Sequence, residues 1–446
     1  MACSLLCPDR LGGSEPTPLA TDLGSEQRFD PERALLSIGG CPRGRAGIYV
    51  RQPSGYRAFI PQSLPPGNPP IELTLERSRL LSDATLALGR LDAAAPLIPN
   101  PDPFVGMYVN REAVLSSQIE GTRASLADLL VFEVEGQSEY PVEVAEVINH
   151  VSAMNHGLSR LADLPLSLNL ICEIHRVLLS GVRGQNREPG QFRRTQNWIG
   201  PAAGCTLAQA TFVPPPPQKL MEHLTNLENF MHDETCPPLI RAGLAHAQFE
   251  TIHPFLDGNG RIGRLLITFM LFQERVLHRP LLYLSYFLKS NRAEYYDRLQ
   301  AVRLPGHWEE WLDFFLRGVA ETSTESWRTV RAILDLQQKH RELLQTRKVS
   351  GNVVRVHELL WRYPIVTIPY LQRELKLTYA GVNRIVLRLV ELGILQESTG
   401  NRRNRRFADD DYLSLFADVP NDPDETSSGA DRQEDLPLGP RRPKRA

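Results

Sequence analysis

Cysteine is scarce in this chain and is never paired by its spacing. The six cysteines, Cys3, Cys7, Cys41, Cys172, Cys205 and Cys236, form no C-x-x-C and stand in no pattern with histidine. That argues against a zinc site and a disulfide framework, and it fits the reducing cytoplasm. An excess of one charge is lacking too. The formal net charge is −2 over 446 residues, so no global field draws the protein toward nucleic acid or a membrane. The most apolar stretch, Leu265 to Phe272, is too short to span a bilayer and predicts a buried helix. The opening MACSLLCPDRLGGSEP has neither the basic start nor the apolar run of a signal peptide. A protein that stays soluble where it is made is expected. Its 42% hydrophobic content is enough for a sizeable core.

A chain of this length predicts two to four folding units, at about 100–200 residues each. Residues 1–54 are rich in Gly, Pro, Ser and Arg without a sustained period and predict a disordered leader, with order beginning near Tyr56. Apolar residues recur at helical spacing over 73–97, 109–122, 142–161, 167–180, 217–232, 237–252, 260–275, 290–302, 308–322 and 324–347. The last of these is polar enough to predict a separate connector, spanning 323–350. Between two of the helices, QFRRTQNWIGPAAGCTLAQATFVPPPP (191–217) carries short β-like runs around Gly-Pro and Gly, and predicts a hairpin or flap. After Gly351, three helical segments and the Arg-rich GNRRNRRFADDDYL give the pattern of a winged helix-turn-helix over 351–416. Residues 417–446 predict a disordered tail. The fold class is mainly α.

The chemistry concentrates in His253-Pro254-Phe255-Leu256-Asp257-Gly258-Asn259-Gly260-Arg261-Ile262-Gly263-Arg264. Gly258-Asn259-Gly260 permits positive φ and leaves backbone N–H groups uncovered, as an anion nest requires. An apolar helix follows at once, so its positive end faces that nest. Arg261 and Arg264, three residues apart, are neighbours on one helical face and suit a polyphosphate. Asp257 offers the hard oxygen that Mg²⁺ takes beside phosphates. His253 is the group able to accept a proton near neutral pH. Singly, each residue also fits a capped loop with solvated side chains. Together they describe phosphoryl or nucleotidyl transfer to a hydroxyl.

This segment resembles the signature of the Fic family, His-x-Phe-x-acid-Gly-Asn-Gly-Arg-x-x-Arg, at every defined position, and the wider likeness runs from about Tyr56 to Leu415. The resemblance implies a Fic-type helical bundle with a small β-hairpin flap and a C-terminal winged helix. Its units would be an N-terminal Fic-associated region (55–140) and a catalytic domain (141–322). It also implies a protein adenylyltransferase with ATP as substrate. His253 would deprotonate a Ser, Thr or Tyr hydroxyl of a target protein, which could be the chain itself. Asp257 would hold Mg²⁺. Asn259 and the nest amides of Gly258 and Gly260 would bind the inner phosphates, and Arg261 and Arg264 the outer ones. Gly258 stands where the kinase-like branch has lysine, which points to AMP rather than phosphate.

By the same likeness, Ser116-Ser117-Gln118-Ile119-Glu120-Gly121 resembles the family's inhibitory motif, with Glu120 paired to Arg264. Trp198 and Ile199 would form the target-docking edge of the flap, although a purely structural hairpin fits the same residues. Tyr296, of the pair Tyr295-Tyr296, would line the adenine side, and Arg303 stands where some relatives use an asparagine. Removal of AMP by the same site, or nucleotide sensing on behalf of the winged helix, are the alternative functions. For the winged helix, protein docking or homodimer formation is expected ahead of DNA contact through Asn383, Arg384, Arg388 and the wing arginines 402, 403, 405 and 406.

Overall fold

The computed structural model describes residues 44–98, 100–136, 141–200, 205–401 and 403–417. The leader expected through residue 54 falls partly within them, and there the expectation fails. Strand β1 (Gly47–Arg51) pairs antiparallel with β2 (Arg57–Pro61), with Gly47 opposite Pro61 and Arg51 opposite Arg57. Buried Arg45 bonds both carboxylate oxygens of Glu309 at 2.6 Å. Tyr49 meets the Phe59 ring edge-on at 5.2 Å. Arg45 finds its partner 264 residues on, but the strand pair itself is a local hairpin closed by a turn over residues 52–56. The remainder of the leader, and the tail beyond Ala417, lie outside the described residues.

Helices follow in chain order: α1 (Leu75–Ala94), α2 (Asp102–Ile119), α3 (Leu126–Glu135), α4 (Val142–Leu161), α5 (Leu168–Leu178), α6 (Pro217–Met231), α7 (Pro238–Ile252), α8 (Asn259–Gln273), α9 (Ser285–Ser290), α10 (Arg292–Arg303) and α11 (Trp308–Thr346). Helices α7 and α8 are buried on nearly every side, as helices at the centre of a layered α fold must be. Helix α2 is also buried almost all round, although it carries Asn110, Arg111, Glu112, Ser116 and Ser117. Those polar groups need partners inside the protein: Glu112 accepts from Ser285, Arg111 lies over the Tyr283 ring, and Ser116 meets Arg264. Helix α3 escapes the periodicity reading because it is short. Its start is a capping box, Ser125 with Asp128.

The expected connector helix is instead the second half of α11, which runs unbroken for 39 residues. The polar stretch that suggests a boundary does not interrupt it. Thr322 and Thr324 return their hydroxyls to the carbonyls of Gly318 and Ala320 one turn back, at 2.6 and 2.8 Å, and so stay helical. Beyond it lie α12 (Gly351–Leu360), β3 (Ile365–Thr367), α13 (Ile368–Leu375), α14 (Tyr379–Glu391), β4 (Gln396–Glu397), β5 (Arg406–Ala408) and α15 (Asp410–Ser414). The three-stranded sheet, in the order β3-β5-β4, is antiparallel throughout and shares a core with α12–α14. That core includes Val356, Leu371, Val382, Val386, Leu389 and Phe407. Three arginines of this region are engaged within the chain. Arg406 forks onto Glu135 of α3 at 2.5 and 2.9 Å, Arg405 donates to Asn383 at 3.0 Å, and Arg388 pairs with Glu391 at 2.9 Å. Residue 402 lies outside the described residues.

The expected flap hairpin is reduced, among the described residues, to one bridge between Ile199 and Phe212. Prolines 214–217 have no N–H to extend a ladder, and Val213 gives its carbonyl to Phe59 of β2 at 2.9 Å. No helix of the described residues is long and apolar enough to cross a membrane.

Helix α4 meets α8 where Gly157 lies under the ring of Phe269, leaving no room for a Cβ. Gly157→Ala is expected to overpack this contact and cost about 1–3 kcal/mol, read as a lowered thermal midpoint.

Candidate active site

The site begins where α7 stops. His253 ends that helix in the left-handed region (φ 49°, ψ 62°), and Pro254 blocks any return to it. Gly258, at φ 77°, opens α8 from the same region, where only glycine rests without strain. Between them the chain is closed by Asn259, whose carboxamide accepts from Phe255 N–H at 2.8 Å and donates to the Phe255 carbonyl at 2.9 Å. This corrects the expected role of Asn259. Its side chain is spent on the turn, so what it presents outward is its backbone N–H. The first bond of α8 runs from Ile262 N–H to the Gly258 carbonyl, so the N–H groups of Asn259, Gly260 and Arg261 precede the ladder.

His175 of α5 supports the turn from behind. Its ring stacks on Phe255 at 3.8 Å and 8°, Nδ1 accepts from Gly190 N–H at 2.8 Å, and Nε2 donates to the Asp257 carbonyl at 3.0 Å. Burial pushes this imidazole down to about 4, which keeps it neutral for those two opposite roles. Nothing in the sequence marks His175, because its partners lie 15 and 82 residues away.

Two guanidinium groups flank the start of α8. Arg261 is 2% exposed, and its Nε and Nη1 have no hydrogen-bond partner. The nearest carboxylates, of Glu146 and Asp257, stand at 3.9 Å. A buried cation met so loosely is poised for an anion. Arg264 is satisfied: Nε donates to Ser116 Oγ at 2.8 Å, and Nη2 to the Ser116 carbonyl at 2.9 Å and to Glu120 Oε1 at 2.8 Å. The Glu120 carboxylate rests directly on Gly260, where any Cβ would collide with it. Burial alone would raise its pKa, but Arg264, then Arg261 and His253, hold it below the usual carboxylate range. Ser116 and Glu120 therefore meet Arg264, one through the last turn of α2 and the other just past it.

Asp257 keeps 38% of its side chain exposed and uses Oδ1 to accept from Gly258 N–H at 2.6 Å. Its Oδ2 faces the loop at Gly184, where a Cβ would come within 2.8 Å. Among the described residues no three His, Cys, Asp or Glu gather as a metal cage. One exposed carboxylate fits a magnesium ion that draws its other ligands from phosphates and water. His253 Nδ1 lies 3.3 Å from the Glu250 carbonyl, and burial, then Arg303 and Arg193, push this imidazole down to about 3. With Nδ1–H donated to that carbonyl, Nε2 is the acceptor.

Tyr295 and Tyr296 diverge as neighbours on a helix must. Tyr295 is buried with its hydroxyl 2.9 Å from His246, whereas Tyr296 is 40% exposed with the Arg292 guanidinium 5.1 Å above its ring. Arg303 points inward, donating to the Glu250 carbonyl at 3.0 Å and lying 4.3 Å over the Phe212 ring. On the flap, Trp198 is 37% exposed, but Ile199 is no open edge. Its N–H and carbonyl are both bonded to Phe212, at 2.9 and 3.1 Å.

His246 holds α7 to α8 by bonding the Gly263 carbonyl at 2.8 Å. Burial pushes its pKa from an ordinary 6.5 down to about 4. Between those values the unfolded chain binds a proton there that the fold does not, so this group's share of stability falls as pH drops from 6.5 toward 4. His246→Gln is expected to lose that share, giving a shallower fall of melting temperature with acid across the same window, read by calorimetry.

Residues 78–159 match the Fic/DOC family N-terminal region, and residues 165–271 match the Fic/DOC family itself. Protein adenylyltransferase Fic of Drosophila grimshawi is 30% identical over 297 residues, which cover 62% of this chain and 54% of that protein. Protein adenylyltransferase fic-1 of Caenorhabditis elegans is 32% identical over 164 residues, covering 36% and 28%. The chain thus spans about half the length, or less, of these curated relatives. Among solved structures, a Fic family protein from Desulfovibrio desulfuricans aligns over 76% of this chain and 97% of its own, with TM-score 0.49 and 19% identity. The second matched segment covers α7, the turn after it and α8 up to residue 271, and the first covers α2, α3 and α4 up to residue 159. By these matches the chain carries a Fic/DOC N-terminal segment over residues 78–159 and a Fic/DOC segment over residues 165–271.

Proposed function

We propose that this chain transfers AMP from ATP to a serine, threonine or tyrosine hydroxyl of a target protein, itself included, and that Glu120 restrains the transfer. One observation carries the proposal: the Glu120 carboxylate sits on Gly260, bonded to Arg264, in front of the N–H groups that open α8. A carboxylate there takes the place of a phosphate. The relatives named as protein adenylyltransferases support the same reading.

The neutral His253 takes the hydroxyl proton at Nε2 while the Glu250 carbonyl holds Nδ1–H. The freed oxygen attacks the α-phosphorus, the bond to the β-phosphate breaks, and pyrophosphate leaves. The negative field of a triphosphate raises the proton affinity of an imidazole that rests low beside Arg303 and Arg193. Arg261 and, once released, Arg264 bind the outer phosphates, and the N–H groups of Asn259 and Gly260 face the inner ones. Asp257 would hold Mg²⁺, whose charge when bound offsets that of the phosphates. Tyr296 lines the adenine side, and exposed Trp198 meets the target.

Glu120→Gly is expected to raise incorporation of α-labelled ATP about 10–100-fold, the worth of one charged hydrogen bond of roughly 1.5–3 kcal/mol. Label from γ-labelled ATP stays at background. His253→Ala in the Glu120→Gly protein abolishes incorporation. Equal labelling by wild type and Glu120→Gly would remove the inhibitory role, and retention of γ label would make the enzyme a kinase.

A further inference from the structure

The segment at the base of the flap reaches the backbone that carries His253. Four consecutive carbonyls, of residues 252 to 255, accept from residues 193 and 197. Arg193 Nη2 donates to Ile252 at 3.3 Å and Nε to His253 at 2.9 Å, while the Arg193 backbone N–H donates to Pro254 at 2.9 Å. Asn197 Nδ2 donates to His253 at 3.0 Å and to Phe255 at 2.8 Å. Arg193 is 2% exposed and also ties Pro215 at 2.6 Å, across the flap. Two of these bonds fall on the carbonyl of His253 itself. His253 carries a side chain in the left-handed region, a costly conformation that persists where its surroundings determine it.

We infer that Asn197, backed by Arg193, is a positioning residue that sets the imidazole of His253 over the reacting hydroxyl. The inference rests on the reading of His253 as the base of AMP transfer. The lever is short. Rotating the 253–254 peptide swings Cβ, and with it Nε2, while the start of α8 keeps the Asn259 bond to Phe255 N–H and the His175 bond to the Asp257 carbonyl, neither of which involves Asn197. Asn197 adjoins exposed Trp198, so a target strand laid on the flap presses next to the group that fixes the base. Its Nδ2 is committed to two carbonyls and its Oδ1 has no partner, which makes donation its contribution here.

The test uses the full chain with Glu120→Gly as parent. Asn197→Ala is expected to lower kcat for α-label incorporation about 10–100-fold, the cost of displacing a catalytic group by a fraction of an ångström to 1 Å. KM for ATP and directly measured ATP binding stay at the parent's values. Asn197→Asp keeps the size but faces two carbonyls with an acceptor, and falls at least as far. In ¹⁵N-histidine-labelled protein, the His253 imidazole signals of Asn197→Ala shift and titrate differently from the parent's. Unchanged kcat with unchanged imidazole signals overturns the inference. So does a parallel loss of ATP affinity and melting temperature, which marks a merely structural residue. Should the parent itself transfer no AMP, the proposed function fails, and the imidazole signals alone still decide whether Asn197 places His253.

Discussion

Arg261 and Arg264 bring two fixed positive charges to the end of α8 that is already positive. A guanidinium cannot shed its proton to suit a buried setting, so the fold has to answer with negative charge or with oxygen lone pairs. Helix α2 answers for Arg264: its last turn gives the hydroxyl and carbonyl of Ser116, and Glu120 follows at its end. This accounts for the buried Ser116 at the end of α2. Arg261 is answered only loosely, by carboxylates at 3.9 Å. The rest of the site is arranged around that unequal settlement.

The turn between α7 and α8 is rigid for reasons separate from the charges. Two left-handed residues, His253 and Gly258, bracket it, the Asn259 carboxamide closes it, and the His175 ring lies flat beneath it. Each support comes from a different element, so the loop is determined from several sides at once. The outcome is an imidazole, an exposed carboxylate and the N–H groups that open α8, held at fixed separations.

The candidate site is legible because it is contiguous: residues 253 to 264 carry an imidazole, a carboxylate, a glycine-rich turn and two guanidinium groups in one stretch. Glu120 was legible only through its likeness to a short motif, since the partner that gives it meaning lies 144 residues on. Elsewhere local pattern failed for definite reasons. Arg193 and Arg194 read alike, yet one is buried among carbonyls and the other exposed. Asn259 read as a ligand, but the closure of its own turn claims the side chain first. Strand β1 is short and half exposed, with too few apolar positions to mark it against the Gly- and Arg-rich sequence before it. The single helix α11 was divided in two because polarity was taken for a boundary, whereas a helix breaks at glycine, proline or a cap.

Under the proposed function, position 260 couples restraint and competence in one atom's worth of space. The residue there must be bare for Glu120 to lie on it, and bare for a phosphate to approach the same N–H groups. A side chain that evicted the glutamate would also stand in the nucleotide's way. Escape from self-restraint is thus closed at this point of the chain, and has to come from the glutamate, from its serine, or from whatever draws the end of α2 aside.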